Sequence, residues 1–259
     1  MHKILSLIIE TKKKRIEVLK KNREGFLSLI KKAPAPISFK KAIKREGKIS
    51  LIAEIKQASP SAGILCKDFN YIELAKKIEK MKASAISVIT EEDFFLGKIN
   101  YIEEIKKISN LPIIRKDFIL DEVQVLESRA VGADAILLIM GILDEKKLEY
   151  LYNLSKKLGM DVLVEVRTEK ELKKVLKFGA DIIGINNRNL HTFQVNLERS
   201  KNLVPFIPEG VVRVSESGIS SLKEVLLLKG LGIDAVLVGS SFMTSEDIEG
   251  KLKELNIDG

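Results

Sequence analysis

The chain has 259 residues, 45% hydrophobic and 31% charged, enough for one large core of the size that α/β barrels reach as single domains. Its one cysteine, Cys66, excludes an internal disulfide, and no apolar run approaches the ~20 residues of a membrane span, so a cytoplasmic protein is expected. The net charge of +8, from 44 basic and 36 acidic residues, is scattered as lysines over helical faces; that pattern argues against a nucleic-acid groove and suits attraction of a small anion.

Taken in order, residues 1–9 hold a short apolar stretch that Glu10 and Lys12–Lys14 cut off, too brief for a signal peptide and without a small-residue cleavage site. Residues 2–31 show helical spacing, with Ile4, Leu7, Ile8, Ile16 and Leu19 on one side and Lys12 to Arg15 between them. A second helical piece spans 25–32, and Ala33-Pro-Ala-Pro36 ends it. Ser38 suits the N-cap of a further helix to Arg45. Residues 1–48 are therefore read as a helical extension of one domain spanning 1–259.

Eight strand candidates follow, at 51–56, 84–90, 112–116, 134–139, 161–166, 181–187, 211–216 and 234–239. Helical stretches fall between them, at 71–82, 101–108, 121–130, 144–158, 168–178, 197–203 (weakly patterned) and 220–231, and a last helix covers 245–255. Val131-Gly-Ala-Asp134, Phe178-Gly-Ala-Asp181 and Leu231-Gly-Ile-Asp234 each join a helix to a strand, and the glycine suits the left-handed position that ends a helix. Eight such units indicate a (β/α)8 TIM barrel, with an open doubly wound sheet as the alternative. No G-x-G-x-x-G follows the first strand, which counts against a dinucleotide site.

In such a barrel the site lies at the C-terminal strand ends. Strand one ends in Glu54 and Lys56, which share a face because side chains repeat every two residues. An ion pair closing a strand would explain those two alone. Strand three ends in Lys116, strand five carries Glu165 among aliphatics, strand six ends in Asn186 with Arg188 on the same face, and strand seven ends in Glu216. Arg115 and Asp117 point the other way and read as structural partners. Several ionisable groups converging on one mouth are hard to explain as structure alone. Ser217-Gly218 after strand seven and Gly239-Ser240 after strand eight, with Ser59 after strand one, suit an anion site.

These motifs, Ala53-Glu-Ile-Lys56 with Ser59-Pro-Ser61, Arg115-Lys-Asp-Phe118, Glu165, Asn186-Asn-Arg188, Glu216-Ser-Gly218 and Gly239-Ser-Ser241, resemble indole-3-glycerol-phosphate synthase over essentially the whole length. The resemblance implies ring closure, decarboxylation and dehydration of 1-(2-carboxyphenylamino)-1-deoxyribulose 5-phosphate without a cofactor, and a helical extension folded over the barrel mouth. It makes Lys116 the general acid, Glu165 a general base, Lys56 the holder of the departing carboxylate with a second proton to offer, and Glu54 the group that orients Lys56. Asn186 and Glu216 would bind the ribulose hydroxyls or the intermediate. Ser59, Ser217, Gly218, Gly239 and Ser240 would surround the phosphate, and Phe95, Phe118, Leu137 and Arg188 would line the anthranilate pocket. The chain departs from the family at Gln57 and Ala62, where relatives often carry a basic residue and a lysine.

A sugar-phosphate isomerase barrel usually pairs a strand-end cysteine with an aspartate, but Cys66 lies in a loop. A basic nucleic-acid binder needs gathered lysines and stacking aromatics. The only histidines, His2 and His191, show no ligand spacing, so no metal site is expected. A monomer acting on a small anionic sugar phosphate is the expectation.

Overall fold

Short strands rich in Ile, Val and Leu set the architecture of the computed structural model, which describes residues 3–189 and 194–258. Eight parallel strands close into a barrel: β1 (Ser50–Ile55), β2 (Ala85–Ile89), β3 (Ile113–Lys116), β4 (Ala135–Ile139), β5 (Asp161–Val166), β6 (Ile182–Asn186), β7 (Val212–Glu216) and β8 (Ala235–Val238), with β8 returning to β1. Each expected strand is present, with bounds shifted by one residue at most. Alternation divides every strand. Ile52, Ala85, Ile114, Leu137, Leu163, Val214 and Leu237 pack inside, while Leu51, Ile86, Val164 and Val236 face the surrounding helices. A two-strand hairpin, Ala58–Ser59 with Gly63–Ile64, stands after β1.

The outer helices are α4 (Tyr71–Lys80), α5 (Asn100–Lys106), α6 (Glu122–Ala130), α7 (Glu145–Lys157), α8 (Glu169–Lys177), α9 (Glu198–Leu203), α10 (Leu222–Gly230) and α12 (Ile248–Leu255), with a four-residue α11 (Ser240–Met243) directly after β8. The last expected helix, 245–255, is α12 with a later start, and α11 precedes it outside the expected stretch. Side-chain oxygens of Asn70, Asp144 and Thr168 accept N–H groups at the starts of α4, α7 and α8, satisfying donors that a helix end leaves open. Gly132, Gly179 and Gly232 of the repeat have φ of 90°, 83° and 82°, the left-handed geometry that ends each helix.

The N-terminal extension comprises α1 (Lys3–Lys20), α2 (Arg23–Lys32) and α3 (Phe39–Ile43), and it covers more than the mouth. Ile4, Leu5 and Ile8 of α1 border the mouth, and α2 packs on the flank against α6. The chain then runs to the opposite end, where Phe39 and Ile43, both fully buried, plug the barrel floor beside Ile52, Ala85, Ala135 and Ala235. The alanines of that layer leave the room that Phe39 and Ile43 fill. The repeat's aspartates hold the plug: Asp134 Oδ1 accepts Ile37 N–H at 2.8 Å, and Lys44 and Lys40 reach Asp234 and Asp181 at 2.6 and 3.0 Å. Asp161, which opens β5, accepts Lys40 N–H at 2.8 Å. Of the extension expected over the mouth, α1 lies there, while α2 lies on the flank and α3 at the floor. Among the described residues no helix is long and apolar enough to cross a membrane.

Candidate active site

Period-two alternation brings the expected strand-end side chains together at the C-terminal mouth. Two adjoining lobes, of about 160 and 430 Å³, share Glu54, Lys56, Lys116, Arg188, Ser217 and Ser240 as walls. The first is bounded by Phe95, Phe118, Leu137 and Ile139, by α1, and by Glu165, Asn186 and Ser59. The second is bounded by Gly218, Gly239, Ser241 and Thr244 from the loops after β7 and β8. Ser59 thus stands on the first lobe, whereas Ser217 and Ser240 border both. Gln57 and Ala62 border neither, so their departure from the family touches the site only at a distance.

The charges form one chain across the mouth. Lys56 Nζ donates to Glu54 Oε1 at 2.7 Å; Lys116 Nζ lies 3.2 Å from Glu54 Oε2 and donates to Glu216 Oε2 at 2.8 Å. Burial alone would lower the Lys116 pKa, but the charges of Glu216, Glu54 and Glu165 outweigh it and raise it, so the amine rests protonated. Burial would likewise raise Glu54, yet Lys116 and Lys56 hold it down at about 2. Glu165 behaves differently. Burial and the charge of Glu216 push it up to about 7, against the pull of Lys116, Asn186 and Arg167. Its Oε1, like Oε1 of Glu216, is buried without a hydrogen-bond donor among the described residues. Buried acceptors left open in this way belong to a site built for a ligand's donors rather than to a finished core.

Behind Lys116, Arg115 and Asp117 form the anticipated structural pair, at 3.0 Å. Asp117 also accepts Thr90 Oγ1–H at 2.7 Å and Phe118 N–H at 2.8 Å, and so fixes the turn that leads from Lys116 to Phe118. Phe118 and Phe95 sit with ring centroids 6.3 Å apart, tilted. The Ser217-Gly218 turn carries φ of 68° and 80°, and a side chain at Gly218 would run into Val195. Asn187 steadies that turn: its Nδ2 donates to the carbonyls of Glu216 and Ser217, both at 3.1 Å.

Several contributors escaped the sequence reading. Glu91, just past β2, accepts the N–H groups of Phe94 and Phe95 at 2.8 and 3.1 Å and so holds the loop that presents Phe95. Lys12, expected on a solvated face, is 4% exposed and lies 2.7 Å from Asp117. Gly184, inside β6, faces Glu216: a Cβ there would stand 2.2 Å from Glu216 Oε1. A glycine in the middle of a buried strand is a sign of close approach, and that was the available signal. Gly239 plays the same part for Glu54, 2.7 Å from where its Cβ would be. His2 and His191 lie outside the described residues.

A closed barrel with a charged mouth, an aromatic-lined lobe and a serine- and glycine-lined lobe defines an enzyme of the (β/α)8 class acting on a small phosphorylated substrate. The family model for indole-3-glycerol phosphate synthase matches residues 5–255. The chain belongs to that family, the carboxy-lyases that form indole-3-glycerol phosphate in tryptophan biosynthesis. It is 47% identical over 253 residues to the indole-3-glycerol phosphate synthase of a Thermoanaerobacter species, covering 97% of this chain and 96% of that one. It is 46% identical over 259 residues to that of Desulforamulus reducens, covering 99% and 98%. Among solved structures, 3-hexulose-6-phosphate synthase from Salmonella typhimurium superposes with a TM-score of 0.65 at 18% identity, covering 81% of this chain and 97% of that one. A mutant tryptophan synthase α-subunit from Pyrococcus furiosus gives 0.61 at 15% identity, covering 82% and 98%. These two share the barrel fold.

Proposed function

We propose that, in the indole-3-glycerol phosphate synthase reaction, Lys116 is the general acid of ring closure and Glu165 the general base of dehydration. The aryl carbon attacks the ketone of the ribulose chain, a C–C bond forms, and the carbonyl oxygen takes a proton. Loss of CO2 restores the aromatic ring, and loss of a proton and hydroxide, as water, completes the indole. The observation that carries the assignment is the contact chain Lys56–Glu54–Lys116–Glu216, with Glu165 at its edge, in one mouth.

An ammonium held protonated by three carboxylates has a proton always at hand, and it yields that proton once negative charge develops on the ketone oxygen. A carboxyl near pKa 7 exists in both forms at neutral pH, as an acid–base catalyst requires. Lys56 holds the leaving carboxylate, and Glu54 orients Lys56. The open acceptors of Glu165 and Glu216, together with Asn186, take the ribulose hydroxyls. Ser217, Gly218, Gly239 and Ser240, with Ser59 from the first lobe, surround the phosphate. Phe95, Phe118, Leu137 and Arg188 enclose the anthranilate ring. The reading also includes a cytoplasmic monomer of one barrel domain carrying the 1–48 extension, with no nucleic-acid partner and no cofactor.

The test is conversion of 1-(2-carboxyphenylamino)-1-deoxyribulose 5-phosphate, followed by indole fluorescence, for the wild type and for Lys116→Ala. The variant is expected to keep the wild-type circular dichroism and to lose roughly 10²–10⁴-fold in kcat, the usual contribution of a positioned acid. A folded variant with near-normal kcat removes Lys116 from that role.

A further inference from the structure

Among the described side chains Lys12 is the one buried lysine of α1, and its partner is not an ordinary surface carboxylate. Asp117 Oδ2 already accepts from Arg115 and Thr90, at 3.0 and 2.7 Å, and Oδ1 accepts Phe118 N–H. Lys12 Nζ takes the remaining position on Oδ1 at 2.7 Å, with side chains 5% and 0% exposed. Burial would raise the Asp117 carboxyl, but the cations of Arg115 and Lys12 hold it at about 2, so it stays a carboxylate. A second tie from α1, Arg15 to Glu92 and, through two nitrogens, to Asp93 at 3.1 and 3.2 Å, is more than a third exposed and so screened by solvent. One buried ion pair therefore fastens α1 to the residue between Lys116 and Phe118. Four residues and more before Lys12, the same helix presents Ile4, Leu5 and Ile8 to the first lobe, while no α1 residue borders the second.

We propose that Lys12 is a positioning residue for the aryl half of the substrate: its pairing with Asp117 holds α1 down so that Ile4, Leu5 and Ile8 complete the wall of the aromatic lobe. The proposal rests on the functional reading above and goes beyond it by separating the two lobes. Losing the latch weakens the grip on the ring and leaves the phosphate lobe as it was. Asp117 remains held by Arg115, Thr90 and Phe118, so the Lys116 strand end keeps its place.

Steady-state kinetics of Lys12→Met and Lys12→Arg, with inorganic phosphate as a competing ligand, provide the test. For Lys12→Met, KM is expected to rise about tenfold, with kcat within about threefold and the phosphate inhibition constant within about twofold of wild type; tenfold corresponds to one weak contact's worth of binding. Lys12→Arg, which keeps the cation, recovers most of the KM. An unchanged KM in folded Lys12→Met overturns the proposal, as does equal weakening of phosphate, or a folded Lys12→Arg that binds as poorly as the methionine variant. Should Lys12→Met not fold, Lys12→Gln reads the same ratio; if neither folds, the pair is a folding element and the proposal falls. Absence of turnover in the wild type strikes the functional reading instead, so the two failures are distinct.

Discussion

Both ends of this barrel carry clustered carboxylates and use them in opposite ways. At the floor, Asp134, Asp161, Asp181 and Asp234 are matched by backbone N–H groups and lysines: Asp134, for instance, takes Ile37 N–H, Ile113 N–H and Lys106. At the mouth, Glu165 and Glu216 each keep a buried oxygen without a donor among the described residues, and Glu165 is pushed up to about 7. A satisfied acceptor stabilises; an unsatisfied one is free for chemistry. The lesson is a division of labour along the barrel axis, in which stability is concentrated where the plug sits and reactivity where the strands end.

Glu165→Gln should separate the two ends most sharply. Loss of the base lowers kcat by about 10²–10⁴-fold. Stability moves the other way. The folded-state pKa lies above the unfolded value of 4.5, so the native state holds its proton longer, and this group's contribution to stability is lost as pH rises through about 7. A glutamine never ionises, so above pH 7 the variant is expected to be more stable, by roughly 3 kcal/mol at most. Equal unfolding midpoints for the two proteins at pH 8 would speak against the burial of a reluctant charge.

Phe39→Ala tests the other end. Removing a fully buried ring from the floor should destabilise by about 3–5 kcal/mol, while kcat/KM below the melting range stays within about twofold. A large kinetic defect in folded protein would mean that floor and mouth are coupled. Gly184→Ala is the finest probe. Its methyl would meet Glu216 Oε1, which must move, so kcat is expected to fall about tenfold, or about 1.4 kcal/mol of lost transition-state stabilisation, with a smaller change in melting temperature. Wild-type kcat in that variant would show that Glu216 tolerates displacement.

The strands and the mouth were legible because alternation is local. Glu54 and Lys56 lie two residues apart, Lys116, Asn186 and Glu216 each end a strand, and Glu165 stands one residue before the end of another, so their shared face follows once eight βα units are counted. The floor was not legible. Phe39-Lys-Lys-Ala-Ile43 was readable as part of a short capped helix, but with two lysines in five residues nothing marks it as core; only the closed barrel shows that Phe39 and Ile43 fill a layer lined by alanines. Lys12 was hidden for a related reason. Within its own helix it sits in a run of four basic residues, and the carboxylate that buries it lies far along the chain. Long-range pairing, and the space a glycine leaves for someone else's carboxylate, are properties of the assembled barrel.

The most direct check of the mouth's chemistry is the pH dependence of kcat/KM for the wild type, with Glu165→Gln as control. If Glu165 is the base, with its carboxyl held near 7, the wild-type rate falls about tenfold per pH unit below that point and the limb is missing from the residual activity of the variant. A wild-type profile that stays level down to pH 5, or a limb that persists unchanged in Glu165→Gln, would contradict it.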